Sequence, residues 1–166
     1  YNSVKFVVSS QENQPMNVTF NSDGTLMYVI GSQYNTVFQY ILTTGFDVST
    51  ASYSNKSFNA STQNSNAKAV KFNTDGTKMY TFFRDLDQYT LSTAFDVSTA
   101  SYDNVLFNTQ SETSSAVDFF FSADGLKVFV HGGSDPNIYQ YNMTTPFDIS
   151  TASYSGTSFN ISSQTS

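Results

Sequence analysis

The sequence predicts an all-β protein made of β-propeller blades: three four-stranded antiparallel repeats of about 52 residues plus one leading strand. Three observations carry this expectation. The octapeptide Phe46-Asp47-Val48-Ser49-Thr50-Ala51-Ser52-Tyr53 recurs at residues 95–102, and again at 147–154 with Ile149 in place of valine. A second signature, Phe20-Asn21-Ser22-Asp23-Gly24, returns at residues 72–76 and 121–125. Turn signals fall about every ten residues, and helical periodicity is absent throughout.

The elements of the first unit follow in order. Residues 16–20 read as a strand, and Asn21-Ser22-Asp23-Gly24 as a hairpin turn in which Gly24 takes a positive φ. Residues 26–30, Leu-Met-Tyr-Val-Ile, form a continuous apolar run, as expected of a strand buried on both faces. Residues 31–35 make a polar loop, and 36–42, rich in Val, Phe, Tyr and Ile, a third strand. Residues 46–52 form a longer connection. Residues 53–60 alternate and are more polar, which suits an outer edge strand.

The two signatures keep phase along the chain. The octapeptide repeats at offsets of 49 and 52 residues and the Asp-Gly signature at 52 and 49, so the second unit is three residues short between Asp75 and Phe95. Tyr1, Phe6, Ser9 and Gln11 match Tyr53, Phe58, Ser61 and Gln63. The expected organisation is an outer strand of a preceding or neighbouring blade at 1–13, then blades at 14–65, 66–114 and 115–166. Three blades are fewer than the four to eight or so of a closed propeller. The leading strand, residues 3–8 with Val4, Phe6 and Val8, is therefore expected to act in assembly. It would pair with a second chain or with further blades of a longer parent. The chain starts at Tyr1 without an initiator Met or signal peptide, which reads as processing or as a piece of something longer.

Residues 20–29, Phe-Asn-Ser-Asp-Gly-Thr-Leu-Met-Tyr-Val, resemble the Phe-Ser-Pro-Asp-Gly-x-x-Leu-Tyr-Val hairpin of the YVTN, WD40-like and lactonase-like propellers, as do 72–80 and 121–130. The segment ending in Phe-Asp-Val-Ser-Thr-Ala-Ser-Tyr, fullest at residues 89–102, resembles long tandem repeats of secreted and phage-borne proteins. The resemblance spans the chain and implies the propeller fold. It implies no single function, since propellers serve as enzymes, scaffolds and lectins. The chain lacks the Trp-Asp dipeptide of WD40 blades and the usual proline before Asp-Gly.

Composition narrows the chemistry. Among 166 residues, 7 are Lys or Arg and 13 Asp or Glu, for a net charge of −6. This balance argues against binding nucleic acid or anionic membrane, both of which need basic clusters. Cysteine is absent and there is one histidine, which excludes thiolate catalysis, disulfides and multi-histidine metal sites within this chain. No apolar run approaches 18 residues. Ser, Thr and Asn number 26, 20 and 15, so the surface is polar but uncharged, more usual outside the cell than in the cytosol. Five Asn-x-Ser/Thr motifs, at Asn17, Asn55, Asn59, Asn142 and Asn160, are what this composition gives by chance.

Residues common to all units are expected to serve the blade. Asp23, Asp75 and Asp124 read as turn residues. Asp47, Asp96 and Asp148 read as Asx or Ser/Thr turns, with a repeated calcium site as the alternative. Gln39, Gln88 and Gln140 read as packing plus a side-chain hydrogen bond. The loops that differ among units are the expected binding face. They supply Tyr34, Asn35, Arg84, Asp85, His131, Asp135 and Asn137 as candidate ligand-binding residues. Tyr34 beside Asn35 suits sugar stacking, an ion pair is expected between Arg84 and Asp85, and His131 suits a structural role, with a general base or a metal ligand as the alternatives. No cofactor or metal is called for. The expected function is an extracellular or cell-surface structural and recognition module, such as a virion fibre or filament subunit, with glycans as ligands. The alternative is part of a lactonase-like hydrolase with its site in the central channel, drawing on Asn17, Thr19, Lys68, Lys71 and Asp118.

Overall fold

A computed structural model describes residues 4–164. Among them the chain forms twelve strands in three four-stranded antiparallel sheets, joined only by turns and single 3-10 turns. Blade 1 comprises β1 (Pro15–Phe20), β2 (Leu26–Gly31), β3 (Thr36–Leu42) and β4 (Ala51–Asn59). Blade 2 comprises β5 (Ala69–Phe72), β6 (Lys78–Phe83), β7 (Asp85–Leu91) and β8 (Ala100–Asn108). Blade 3 comprises β9 (Ala116–Phe121), β10 (Lys127–Gly132), β11 (Asn137–Asn142) and β12 (Ser153–Asn160). Each sheet is a simple meander, so every strand pairs with its sequence neighbour. The 46–52 connection is tighter than its sequence suggests, because Val48–Thr50 closes a 3-10 turn and β4 starts at Ala51.

The blades stack face to face. Tyr28, Ile30 and Val37 of blade 1 pack on Val70, Met79 and Tyr89 of blade 2. Tyr80, Phe82 and Leu86 of blade 2 pack on Phe119, Val128 and Tyr141 of blade 3. Alternate residues of the second strands thus face opposite sides of the blade, which is why β2 is apolar from Leu26 to Ile30, while β6 and β10 are broken by Thr81 and His131.

One irregularity recurs in every blade. The third and fourth strands shift register at Gln39/Tyr40, Gln88/Tyr89 and Gln140/Tyr141. The shift is absorbed by a positive φ at Asn55, Asn104 and Gly156, residue types that accept the left-handed region.

The leading segment differs from its expectation. Residue 3 lies outside the described residues, and residues 4–8 pair with no strand. A ladder needs a neighbouring strand, and the one equivalent to β3 would belong to another blade. The segment still packs where an outer strand would. Phe6 meets the Tyr40 ring edge-on at 5.4 Å, as Phe58 meets Tyr89 at 5.0 Å and Phe107 meets Tyr141 at 5.1 Å. The turn after it also matches. The Val8 carbonyl accepts from Gln11 and Glu12, as Ala60 does from Gln63 and Asn64, and Thr109 from Glu112 and Thr113.

Candidate functional site

Each blade has a turn end and a loop end. At the turn end the repeat is spent on structure. The Asp23 Oδ1 accepts from the Thr25 backbone N–H at 2.9 Å and from its hydroxyl at 2.6 Å, and Asp75 repeats this on Thr77. Those bonds hold the Asp23 and Asp75 carboxyls below the usual carboxylate range, and bonds from the Ser122 hydroxyl and the Leu126 N–H do the same for Asp124. Gly24, Gly76 and Gly125 sit at φ of 69–73°, each under the ring of Phe46, Phe95 or Phe147; a Cβ there would fall inside that ring. The Asp47, Asp96 and Asp148 carboxylates cap the 3-10 turns, each accepting from the N–H and hydroxyl of the serine two residues on. The Asx-turn reading of these residues therefore holds. Among the described residues no three acidic or histidine side chains converge as a metal site would require.

At the loop end lie the 31–35 loop and the turn after β4, tied together because the Asn35 carbonyl accepts from Ala60. The candidate residues have distinct places there. Asn35, at a φ of 51°, is a clasp between blades: its Oδ1 accepts from the Ala67 backbone at 3.1 Å. Arg84, at a φ of 67°, turns its guanidinium over the Phe83 ring at 5.0 Å. Asp85 accepts from Gln110 Nε2 at 3.1 and 3.2 Å. The ion pair expected between Arg84 and Asp85 is thus replaced by two separate contacts. Asp135 accepts from Asn137 at 2.5 Å and from the Tyr139 hydroxyl at 2.7 Å; the tyrosine bond in particular keeps its carboxyl low. Asn137 in turn accepts from Asn160 at 3.0 Å. His131 lies within β10 opposite Asp118 and Ile138, exposed on the sheet face turned away from blade 2, not in a loop. Among the described residues no hydrogen bond links the candidates of one blade to those of another.

Tyr34 stands in an open groove that joins aromatic rings with polar groups; His131 and Asp135 line separate hollows of blade 3. The Tyr34 backbone N–H reaches the Glu12 carboxylate at 3.3 Å, and its ring is half exposed. The groove holds about 500 Å³ and is lined by Tyr34, Phe38 and Tyr53 on its aromatic side, with Gln11, Ser57 and Asn59 as polar neighbours. Phe38 and Tyr53 are fixed edge to face at 6.2 Å. Aromatic rings with uncharged donors and acceptors form a surface for a hydroxylated ring with an apolar face.

The inner strands carry the alternative set. The Asn17 Oδ1 accepts from the Val70 backbone at 3.4 Å, and Lys68 lies over the Phe83 ring at 4.4 Å. Lys71 approaches Asp118 at 3.6 Å. Each of these groups has a structural partner in a neighbouring strand or blade.

Two groups have roles that went unassigned in the sequence. Glu12, fully buried, accepts from Gln14 at 2.7 Å and from Tyr34; its counterparts Asn64 and Thr113 are buried in the same turn. Asp87 stands where the other blades have Phe38 and Tyr139. Burial pushes its carboxyl up to about 6, and its Oδ1 has no hydrogen-bond partner. The only signal in the sequence was a carboxylate at an otherwise aromatic position of the repeat.

No protein-family model matches the chain, and no curated protein does. Solved structures do. The chain is similar to a Bacteroides fragilis protein provisionally named a 6-phosphogluconolactonase, at 17% identity and a TM-score of 0.62, over 89% of this chain and 39% of that one. It is similar to the Pseudomonas aeruginosa periplasmic gluconolactonase PpgL, at 15% identity and a TM-score of 0.56, over 88% and 39%. It is also similar to the β-propeller domain of Myceliophteria thermophila Cps50 (Swd1), at 11% identity and a TM-score of 0.56, over 89% and 43%. The fold is that of a β-propeller, of which the chain spans about two fifths of the length of these neighbours.

Proposed function

We propose that the chain is a recognition module of the β-propeller class, displayed outside the cell on a surface, a virion fibre or a filament, and that its loop end binds glycans. The groove beside Tyr34 carries this reading. It combines half-exposed aromatic rings with uncharged polar groups on a rigid sheet. The uncharged Ser/Thr/Asn-rich surface supports an extracellular setting. Screening the chain on a glycan array, then titrating any hit against Tyr34→Ala, tests it. Loss of roughly tenfold or more in affinity is expected for removal of a central aromatic anchor. An array without hits, or hits indifferent to Tyr34, sinks the reading.

A second reading draws on the two neighbours named for lactone chemistry. There the inner strands would line a hydrolytic channel, with Asp118 as the carboxylate and Lys71 beside it. Ring opening of sugar lactones that Asp118→Asn abolishes would support it.

A further inference from the structure

Two interfaces lie inside this chain, and they use the same parts. A phenylalanine of the outer strand (Phe58, Phe107) meets a tyrosine of the next blade (Tyr89, Tyr141). A glutamine Oε1 (Gln39, Gln88) accepts from the backbone N–H that opens the next blade's 3-10 turn, at Val97 and Ile149. Blade 3 presents the same parts on its far face. Phe159 occupies the position of Phe58 and Phe107 and is 64% exposed; Gln140 occupies that of Gln39 and Gln88. Beside them, at their cross-strand partners Phe129 and Ile138, is an apolar hollow of about 410 Å³ lined also by Phe120 and His131. The near face of blade 1 presents the matching sockets. Tyr40 corresponds to Tyr89, and Val48 to Val97; Val18, 52% exposed, corresponds to Val70 and Phe119, both buried. A hollow of about 420 Å³ lies there, bounded by Phe6, Met16, Val18, Met27 and Val48.

We propose that the far face of blade 3 docks on blade 1 of a second copy, head to tail, with Phe159 of one copy taking the place of Phe6 on Tyr40 of the other. The partner is specified by the chain itself. The faces that would meet are counterparts of faces that meet twice within it, and such a heterologous contact closes a ring or grows a fibre according to its rotation. The leading segment is the built-in competitor. Residues 1–11 and 154–164 align with Tyr1 on Tyr154, Phe6 on Phe159, Ser9 on Ser162 and Gln11 on Gln164. Phe6 therefore covers Tyr40 within its own chain and must be displaced for docking. Two substitutions also leave the far face of blade 3 a weaker partner than its counterparts. Phe129 stands where Tyr28 and Tyr80 donate to the next blade's Phe95 and Phe147 carbonyls, and His131 stands where Ile30 and Phe82 are fully buried. The contact is thus reversible rather than permanent.

The test is sedimentation of the whole chain across a concentration series, with three variants. Phe6→Ser, which frees the socket, is expected to tighten association roughly tenfold, and Phe159→Ala to weaken it by a similar factor. Phe129→Tyr, which restores the missing donor, is expected to tighten it about fivefold. Geometry is read separately. This sequence has no cysteine, so Gln140→Cys and Val48→Cys variants, mixed and treated with a short bismaleimide, should cross-link to each other and not to themselves. A ring or a fibre both bear the proposal out. A chain that stays monomeric with Phe6→Ser, or association indifferent to Phe159 and without the mixed cross-link, overturns it. Glycan binding plays no part in these readouts.

Discussion

Between blades 1 and 2, Tyr28 donates to the Phe95 carbonyl at 2.7 Å and Gln39 accepts from Val97 at 3.1 Å. Between blades 2 and 3, Tyr80 donates to the Phe147 carbonyl and Gln88 accepts from Ile149 at 3.0 Å. The locks are the same and the filling is not. Both interfaces carry a charge pair, Lys56 with Asp96 at 2.6 Å at the first and Lys71 with Asp118 at 3.6 Å at the second, but only the first also buries a carboxylate, Asp87, with one oxygen unpartnered. At the second, Val105 replaces Lys56 and Tyr139 replaces Asp87, and Phe82 packs against Phe119 where the first has Ile30 and Val70; the pair Tyr28 with Phe72 recurs as Tyr80 with Phe121. The repeat therefore preserves what sets the blade-to-blade geometry, while the filling tunes how strongly neighbours hold. In a stacked array, stability is close to a sum of unit and interface contributions, so the two interfaces can be weighed one against the other.

The largest difference should come from the filling. Phe82→Ala removes a fully buried ring from the second interface and is expected to cost about 3–5 kcal/mol. Ile30→Ala, at the same position of the first, is expected to cost about 2–5 kcal/mol and to fall below Phe82→Ala. Urea unfolding of both variants measures the order, and equal costs would mean that the two interfaces do not differ through their apolar filling.

Asp87 should act in the opposite direction. Its folded pKa, about 6, lies above the ordinary value near 3.8, so the folded state holds the proton more tightly than the unfolded chain. The stability that goes with this is fully present below the unfolded value and is lost as pH rises through about 6. At pH 7 the ionised carboxylate weakens the first interface, and Asp87→Asn should stabilise the chain by about 1–3 kcal/mol. The gain should shrink to nothing by about pH 4. The difference between the two proteins is the quantity to follow. Carboxylates such as Asp23 and Asp47, whose pKa values are lowered by hydrogen bonds, drive both of them the other way at low pH. A gain that persists unchanged at pH 4 would remove Asp87 as its source.

Much of this was legible in the sequence. The repeat placed every strand within a few residues, because the Asp-Gly turns and the Phe-Asp connection are local devices whose chemistry is written in adjacent residues. The interfaces were less legible. Gln39 and Gln88 announced a hydrogen bond but not that it crosses to the next blade, 58 and 61 residues on. Asn35 reads as a ligand residue from its place in a variable loop, yet its Oδ1 clasps the Ala67 N–H, a contact that exists only with blade 2 beside it. His131 reads from the sequence as the start of a loop, but β10 runs on to Gly132, one residue past it. Tyr34 kept its place in an open groove, but the groove's other rings, Phe38 and Tyr53, come from β3 and β4 and share no motif with it.

The shared locks give a narrower test. Gln39→Leu and Gln88→Leu each strand a buried backbone N–H, at Val97 and Ile149, and each is expected to cost about 1–3 kcal/mol. Because the lock is the same at both interfaces, the two costs should agree within the scatter expected of independent sites, about 0.5 kcal/mol. A clear inequality would show that the filling alters the lock as well as the strength of contact.

The smallest effect belongs to the ion pair between Lys56 and Asp96 at the first interface. Lys56 is partly exposed, so its contact with Asp96 is screened by water and contributes about 0–1 kcal/mol despite its short distance. Asp96 also has its capping work, accepting from Ser98 at 2.6 and 3.1 Å, and keeps it when the lysine is gone. Lys56→Val, which installs the aliphatic character that Val105 gives the second interface, should therefore leave stability nearly unchanged at low salt. It should also remove what salt dependence the first interface shows. A loss well above 1 kcal/mol would mean that the lysine, and not the repeated locks, holds blade 1 against blade 2.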